Sequence, residues 1–242
     1  MDRDRLYQRI AERKRDAQHL LPYNGGNGRI DRFLDIVRAG ALPRGGRVLD
    51  VGGSHGDLVE LAVREGLFID GCVVDISTES VFTAKRRGLW AEDIDVDRDG
   101  LHAFDDASFD CVVALDFIEH IVDPGSFAAE CHRVLRSGGY TFINTPNISF
   151  WRHLEELAVR GHFPHTSGDR EVYHGGHLAF YNENDLVEIF RVAGFFEQDM
   201  QVHREGYGEP APPIWHRLLS ESNLPKKDRM LSQPNLLFSV RK

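Results

Sequence analysis

Apolar and polar positions change period along this chain in a way that predicts alternating strands and helices. Short apolar runs of strand length fall at 48–51, 72–75, 109–115 and 140–144, with a more polar strand at 90–94. Between them the spacing is helical. One helix follows Asp57 and turns Leu58, Leu61 and Ala62 inward. A second follows Ser77, and a third begins at Asp123-Pro124, a cap with a first-turn proline, and ends before Gly138-Gly139. Strand and helix in this alternation are what a doubly wound parallel sheet requires, so the fold class predicted is α/β.

The pattern differs at both ends of this block. Upstream, Leu6, Ile10, Ala17 and Leu20 share one side of a first helix, and Pro22-Tyr23-Asn24-Gly25-Gly26-Asn27-Gly28 separates it from a second around 30–38. That glycine-rich break is either a flexible lid over a ligand or an inter-helix loop. Downstream of Asn144 the alternation lapses for roughly thirty-five residues rich in His, Gly and aromatics, an interruption of the length that is usually functional. It resumes with a helix over 184–193, stopped by Gly194. Two late strands, 196–203 and 235–241, flank an excursion at 206–213, and without a helical crossover they should pair antiparallel.

Composition narrows the partners. A chain of 242 residues with 41% hydrophobic and 28% charged content suits one large α/β domain. With 29 Lys+Arg against 38 Asp+Glu the net charge is −9, which leaves no broad basic field for phosphate backbones, so no nucleic acid partner is expected. The charged amino terminus and the lack of a membrane-length apolar segment predict a cytoplasmic protein with no membrane partner. Cys72, Cys111 and Cys131 are spaced for neither zinc nor a disulfide framework and read as reduced core residues.

The densest chemical signal is Arg47-Val48-Leu49-Asp50-Val51-Gly52-Gly53-Ser54-His55-Gly56-Asp57, an apolar strand running through an acidic residue into a small-residue turn that opens a helix. Gly52, Gly53 and Gly56 can take positive φ or let a ligand approach the backbone, beside the unpaired N–H groups of a helix start. Three further pieces follow in order. They are Val74-Asp75-Ile76-Ser77, the stretch Ser108-Phe109-Asp110-Cys111-Val112-Val113-Ala114-Leu115-Asp116-Phe117-Ile118-Glu119-His120-Ile121-Val122-Asp123-Pro124, and Arg133-Val134-Leu135-Arg136-Ser137-Gly138-Gly139. From about Arg29 onward the chain thereby resembles the class I S-adenosylmethionine-dependent methyltransferases of the type 11/23 group. The third piece is the most specific to that group.

The resemblance implies a Rossmann-like sheet, mostly parallel with an antiparallel last strand, and S-adenosylmethionine as cofactor. It places Asp50 near the cationic amino end of the methionine moiety, Gly52, Gly53 and Gly56 where the backbone meets the ligand, and Asp75 on the ribose hydroxyls. Asp95-Val96 is assigned to the adenine, with the register inside Glu92-Asp93-Ile94-Asp95-Val96-Asp97 open by two residues either way, and Ile76 and Asp116 complete the cofactor set. Ser54 departs from the family by replacing the usual middle glycine. It leaves the turn feasible and either narrows the pocket or adds a hydrogen bond. A dinucleotide oxidoreductase is the rival enzyme reading, but the first, third and sixth positions from Gly52 hold Gly52, Ser54 and Asp57, and an aspartate there repels a pyrophosphate.

A hydroxyl acceptor benefits from a base, most often histidine. His120 follows the fourth strand where the methyl group should emerge, with Glu119 before it; the pair either supplies a base or only packs the following turn. The interruption holds His153, His162, His165, His174 and His177, of which His177, within Gly176-His177-Leu178-Ala179-Phe180-Tyr181, best matches the family pattern for a base. These histidines lack obvious carboxylate partners, so no protein-bound metal is expected, although Asp116 and Glu119 leave room for a magnesium ion held through waters. Trp151, Phe163, Tyr173 and Tyr181 either stack on the acceptor or form the core of a lid.

The expectation is a single methyltransferase domain over 1–242: a helical cap at 1–40, a cofactor core at 41–147, a substrate lid at 148–181, and a carboxyl-terminal helix and strand pair at 182–242. Its acceptor is a small molecule methylated at oxygen, a saccharide or a hydroxylated secondary metabolite, and the protein is a monomer or homodimer. Methylation at carbon or nitrogen, and a binding module without turnover, are the alternatives.

Overall fold

The computed structural model describes residues 28–164, 176–203, 210–218 and 231–242. In chain order the strands are β1 (Arg47–Val51), β2 (Asp70–Asp75), β3 (Trp90–Asp93), β4 (Phe109–Leu115), β5 (Leu135–Pro146), β6 (Met200–His203) and β7 (Asn235–Arg241). The helices are α1 (Gly28–Arg38), α2 (Asp57–Arg64), α3 (Thr78–Arg86), α4 (Val96–Asp99), α5 (Pro124–Val134), α6 (Trp151–Ala158), α7 (Glu183–Val192) and α8 (Pro213–Leu218). The strands form one seven-stranded sheet in the order β3-β2-β1-β4-β5-β7-β6. β1 to β5 run parallel, and β7 lies antiparallel to both β5 and β6. This is the Rossmann-like sheet with an antiparallel last strand that the sequence predicts.

Strand geometry explains why the apolar runs are nearly continuous. Successive side chains point to opposite faces, and here both faces are covered by helices. Leu49 and Val51 of β1 join Val112 and Ala114 of β4 on one face, under Phe127 and Cys131 of α5 and Leu186 and Phe190 of α7. Val48, Val73, Cys111, Val113 and Phe142 join Phe33, Leu34 and Val37 of α1 and Leu58, Val59 and Ala62 of α2 on the other. A fully buried side chain such as Phe33 or Phe142 contributes roughly 1.5–3 kcal/mol to this core. Cys72, Cys111 and Cys131 are buried free thiols, as expected. Strand order reverses between β1 and β4, and in open α/β sheets ligands bind at the carboxyl ends of the strands at such a switch point.

Helix starts follow local chemistry. Ser77 caps α3 by accepting from the Ser80 amide, Asp123 caps α5 ahead of Pro124, and Asn182 with Asp185 forms a reciprocal capping box on α7. Several boundaries differ from the sequence pattern. The third helix ends at Val134, and β5 starts at once at Leu135, so Gly138 and Gly139 lie inside the strand. A side chain at residue 139 would lie 2.9 Å from the Asp110 carbonyl oxygen, and the β4–β5 register shifts between Phe109 and Cys111 at the same place. β6 begins only at Met200, because 197–199 make a 3₁₀ turn. The stretch after Asn144 carries α6, whose Phe150 sits at the cap position, where no element was expected. The first helix with Leu6 to Leu20, the break at 22–27, and His165, Tyr173 and His174 lie outside the described residues.

Candidate active site

The turn after β1 is built by its own packing. Gly52 and Gly53 both donate to the Val74 carbonyl of β2, at 2.7 and 3.2 Å. Gly56 stands at φ +82° as the cap of α2, and a methyl group on it would lie 2.4 Å from Leu89 Cδ1. A methyl group on Gly53 would lie 2.5 Å from the Asp50 carboxylate, and one on Gly52 2.7 Å from the Phe117 ring. The three glycines are therefore required by close internal approach, whatever the turn binds. Ser54 takes φ +50° without being glycine, and its amide donates to Asp75 Oδ2 at 2.9 Å. His55 stays half-buried, its carbonyl accepting from Arg87. Arg87 also pairs with Asp57 at 2.7 Å, so Asp57 is partly neutralised and repels an incoming anion less than its sequence position suggests.

Asp50 lies beneath the turn rather than at its surface. It is buried, and burial, reinforced by Asp75 and Asp57, pushes its carboxyl up to about 8. Asp75 is buried as well; one oxygen accepts from Ser54 and the other from the Ser77 amide at 2.8 Å. Ile76 follows it, half-buried, and Val96 opens α4 against the core. Along the acidic stretch, Asp93 accepts from Thr78 Oγ1 at 2.5 Å and Asp97 from the Val122 amide at 2.8 Å. Asp95 stands at the cap of α4 without a side-chain capping bond.

Beyond β4 a second group of polar residues gathers. Asp116 holds a left-handed φ of +48°, with its amide on the Asn144 carbonyl and its carboxylate accepting from Asn144 Nδ2. Arg29 of α1 reaches the same carboxylate at 2.5 Å. Burial raises the Asp116 carboxyl, and Arg29 opposes the rise. Ile118–His120 form a 3₁₀ turn that buries Glu119 to 1% exposure. Thr145 Oγ1 donates to Glu119 Oε2 at 2.9 Å, while Oε1 has no hydrogen-bond partner and faces His177 Nε2 at 4.0 Å. Burial, then Asp116, pushes the Glu119 carboxyl up to about 8.

His177 arrives from far along the chain because 176–181 is stitched onto this turn. Leu178 and Ala179 donate their amides to the Glu119 carbonyl at 2.7 and 3.3 Å, and Tyr181 donates its hydroxyl to the Ile118 carbonyl at 3.3 Å. His120 Nδ1 lies 3.3 Å from the Gly176 carbonyl, and the His120 and His177 rings meet edge to face with centroids 4.7 Å apart. Glu119, His120 and His177 thus come together, with ligand-type atoms all within 4.8 Å of one another. The other described histidines of this region stay apart. His153 points Nδ1 at the Asn147 carbonyl at 2.9 Å and packs on Phe150, while His162 is exposed. Tyr181 is buried, a core residue rather than a stacking platform, whereas Phe163 is exposed and meets Phe180.

Arg29, Asn144 and Thr145 are the residues of this site to which sequence reading gave no role. Arg29 carries no local signal, since only folding brings α1 to the Asp116 carboxylate beyond β4. Three buried polar atoms along this edge, Ser54 Oγ, Asn144 Oδ1 and Glu119 Oε1, have no hydrogen-bond partner. All three can accept, so the edge suits a cationic or hydrogen-bond-donating ligand.

A family model described as a methyltransferase domain matches residues 9–196. The chain is 34% identical over 109 residues to a ubiquinone biosynthesis O-methyltransferase of Paracidovorax citrulli, covering 43% of this chain and 45% of that protein. It is 35% identical over 119 residues to one from Xanthomonas oryzae pv. oryzae, covering 47% and 48%. The chain thus spans about half the length of these relatives. Among solved structures, a SAM-dependent methyltransferase from Archaeoglobus fulgidus superposes with a TM-score of 0.60 at 18% identity, covering 100% of both chains. A Haemonchus contortus phosphoethanolamine N-methyltransferase 2 bound to S-adenosyl-L-methionine gives 0.58 at 19% identity, covering 98% of this chain and 56% of that one.

Proposed function

The chain belongs to the methyltransferase domain family, and from that premise we propose that it uses S-adenosylmethionine to methylate a hydroxyl of a small molecule. The observation that carries the choice of oxygen is the meeting of Glu119, His120 and His177 beside the end of β4. The names of the relatives, which are O-methyltransferases, support the same choice.

The residues fit the cofactor. S-adenosylmethionine is a cation at sulfur and at its amino group, and the edge offers it the unpartnered acceptors Ser54 Oγ and Asn144 Oδ1. Asp75, buried at the end of β2, is placed for the ribose, Asp95 at the cap of α4 for the adenine amine, and Ile76 and Val96 offer apolar contact on either side. Arg29, held half-exposed against Asp116, is a guanidinium suited to the carboxylate of the methionine moiety. When bound, the cofactor supplies an electrophilic methyl group.

What the protein adds is alignment and removal of a proton. Holding acceptor and methyl in line is worth up to about 7–11 kcal/mol in favourable cases. His120 or His177 takes the hydroxyl proton, a contribution of typically ~10²–10⁴-fold. Glu119, fixed by Thr145 on one oxygen, turns the other toward His177, so that an imidazolium formed there gains a carboxylate partner. The relatives' role in ubiquinone biosynthesis directs the first acceptor screen to phenolic hydroxyls, with saccharides beside them. Phe163, Leu178 and Phe180 offer apolar surface near His177 for the body of such a molecule.

Calorimetric titration with S-adenosylhomocysteine and NADH, on wild type and Asp75→Ala, tests the cofactor. Tight binding of S-adenosylhomocysteine alone, at least tenfold weaker in the variant, is expected. Binding of NADH alone, or of neither, overturns the reading. A methyl-transfer screen with His120→Ala and His177→Ala then tests the base: wild-type turnover in both variants would remove the histidines from the chemistry.

A further inference from the structure

We infer that cofactor binding expels a proton from Asp50, so that the protein holds its cofactor more weakly as pH falls. This deepens the S-adenosylmethionine reading and rests on it. The fold buries the Asp50 carboxyl without a countercharge: it is 3% exposed, toward the end of β1. Other acids of this edge have partners. Asp75 accepts from the Ser54 and Ser77 amides, Asp116 from Arg29 and Asn144, and Glu119 from Thr145. Among the described residues no donor or cation acts on the Asp50 carboxyl, and its environment consists of burial and two further acids.

The sheet enforces this arrangement. Asp50 pairs with Val73 across β1 and β2, and Asp75 stands two residues beyond Val73, so both carboxyls leave the same face. Asp57 joins from the first turn of α2, itself tied to Arg87. From β4 come Val113, opposite Asp50, and the Cys111 thiol, which burial keeps protonated, as it does Cys72 on β2. The turn adds His55, half-buried, and Gly53 closes over Asp50, where a side chain would lie 2.5 Å from Oδ2. Burial, then Asp75, then Asp57 push the Asp50 carboxyl up to about 8, so the ligand-free protein holds a proton there at neutral pH.

The missing charge is one that the cofactor carries, in the ammonium group of its methionine moiety. Beside that ammonium the Asp50 O–H bond breaks, the proton goes to solvent, and the carboxylate keeps the electron pair as the partner of the cation. No electron changes hands. By linkage, a site that binds better after losing a proton gains affinity as pH rises, up to the pH at which the free protein loses that proton by itself. Affinity for S-adenosylhomocysteine, which carries the same ammonium, rises by up to about tenfold per pH unit below neutrality and levels off near 8.

The test is calorimetric titration of the full chain with S-adenosylhomocysteine from about pH 6 to 8.5, in pairs of buffers of different ionisation enthalpy, which counts the protons exchanged. Wild type is compared with Asp50→Asn, which keeps the shape of the neutral carboxyl, and with Glu119→Gln, which removes the other acid raised by burial. A second probe, 5′-methylthioadenosine, lacks the amino acid group. Release of nearly one proton below neutrality by wild type and Glu119→Gln, and of almost none by Asp50→Asn or with 5′-methylthioadenosine, is the expected result. No release by wild type, or equal release by Asp50→Asn, overturns the inference. If Asp50→Asn binds too weakly to titrate, the wild-type series decides: a flat affinity, or equal proton release with both probes, overturns it. Saturable binding without proton release leaves the cofactor reading standing, whereas no binding at any pH strikes that reading and this inference together.

Discussion

The two halves of the site are made in different ways. On the cofactor side, Asp50, the glycine turn, Asp75 and Asp95 sit at the ends of neighbouring parallel strands, each within a few residues of an apolar run. On the acceptor side, Glu119 and His120 come from the turn after β4, Thr145 from β5, Arg29 from α1 and His177 from a segment fastened down by backbone bonds to Glu119. The first half is a local motif repeated along a sheet edge. The second is an assembly of distant segments, so it depends on packing that can vary while the sheet stays the same. A fold of this kind can therefore keep its cofactor while its acceptor chemistry changes.

Substitutions should separate the halves, most sharply on the acceptor side. His120→Ala combined with His177→Ala is expected to slow methyl transfer by ~10²–10⁴-fold while S-adenosylhomocysteine affinity, read by calorimetry, stays within a few-fold of wild type. Equal loss of both would mean that the halves are one unit. On the cofactor side, Gly56→Ala forces a methyl group onto Leu89 at a left-handed φ of +82°, and denaturant unfolding should show a loss of roughly 1–3 kcal/mol. An unchanged midpoint would show that the turn tolerates a side chain.

A smaller effect follows from Asp50, whose carboxyl is pushed by burial up to about 8 in the folded state, against an ordinary value of 3.8. Between those values the native state keeps a proton that the unfolded chain has lost, so rising pH favours unfolding across this window and ceases to do so above it. Asp75 and Asp57 both push in this direction. Ligand-free protein should lose on the order of 1–2 kcal/mol of Asp50-dependent stability between pH 6 and 8. Urea midpoints should decline less steeply in Asp50→Asn, and parallel pH profiles for the two proteins would reject this assignment. Least affected should be Arg29→Ala. It removes a half-exposed ion pair with Asp116, so stability should change by less than about 1 kcal/mol, with cofactor affinity the more sensitive readout.

The sheet was legible in the sequence because strand order and burial write themselves into short apolar runs, and β4 and β7 fall where those runs do. The helix from Pro124 does end before Gly138-Gly139, but β5 begins at Leu135, ahead of them, and Gly139 marks a close crossing with Asp110 inside the strand. The polar residues of the proposed cofactor half were legible for a related reason, since Asp50 and Asp75 stand at the ends of β1 and β2, and Gly52 and Asp95 follow β1 and β3 by a position or two. Asp93, Asp95 and Asp97 share one acidic stretch, and only the fold gives Asp93 and Asp97 their partners in Thr78 and Val122 and sets Asp95 at the cap of α4.

Sequence by itself determined the α/β fold, the edge of the sheet that carries the site and the polar residues available along it, because these follow from periodicity and local turn chemistry. Tertiary structure alone decided that Asp50 lies buried beneath the turn, that Arg29 crosses to Asp116, and that His177, rather than His153 or His162, meets Glu119. Such contacts join segments whose separation along the chain carries no periodic signal, and they come into being only when the core has packed and the backbone of 176–181 has found its partners on the turn after β4.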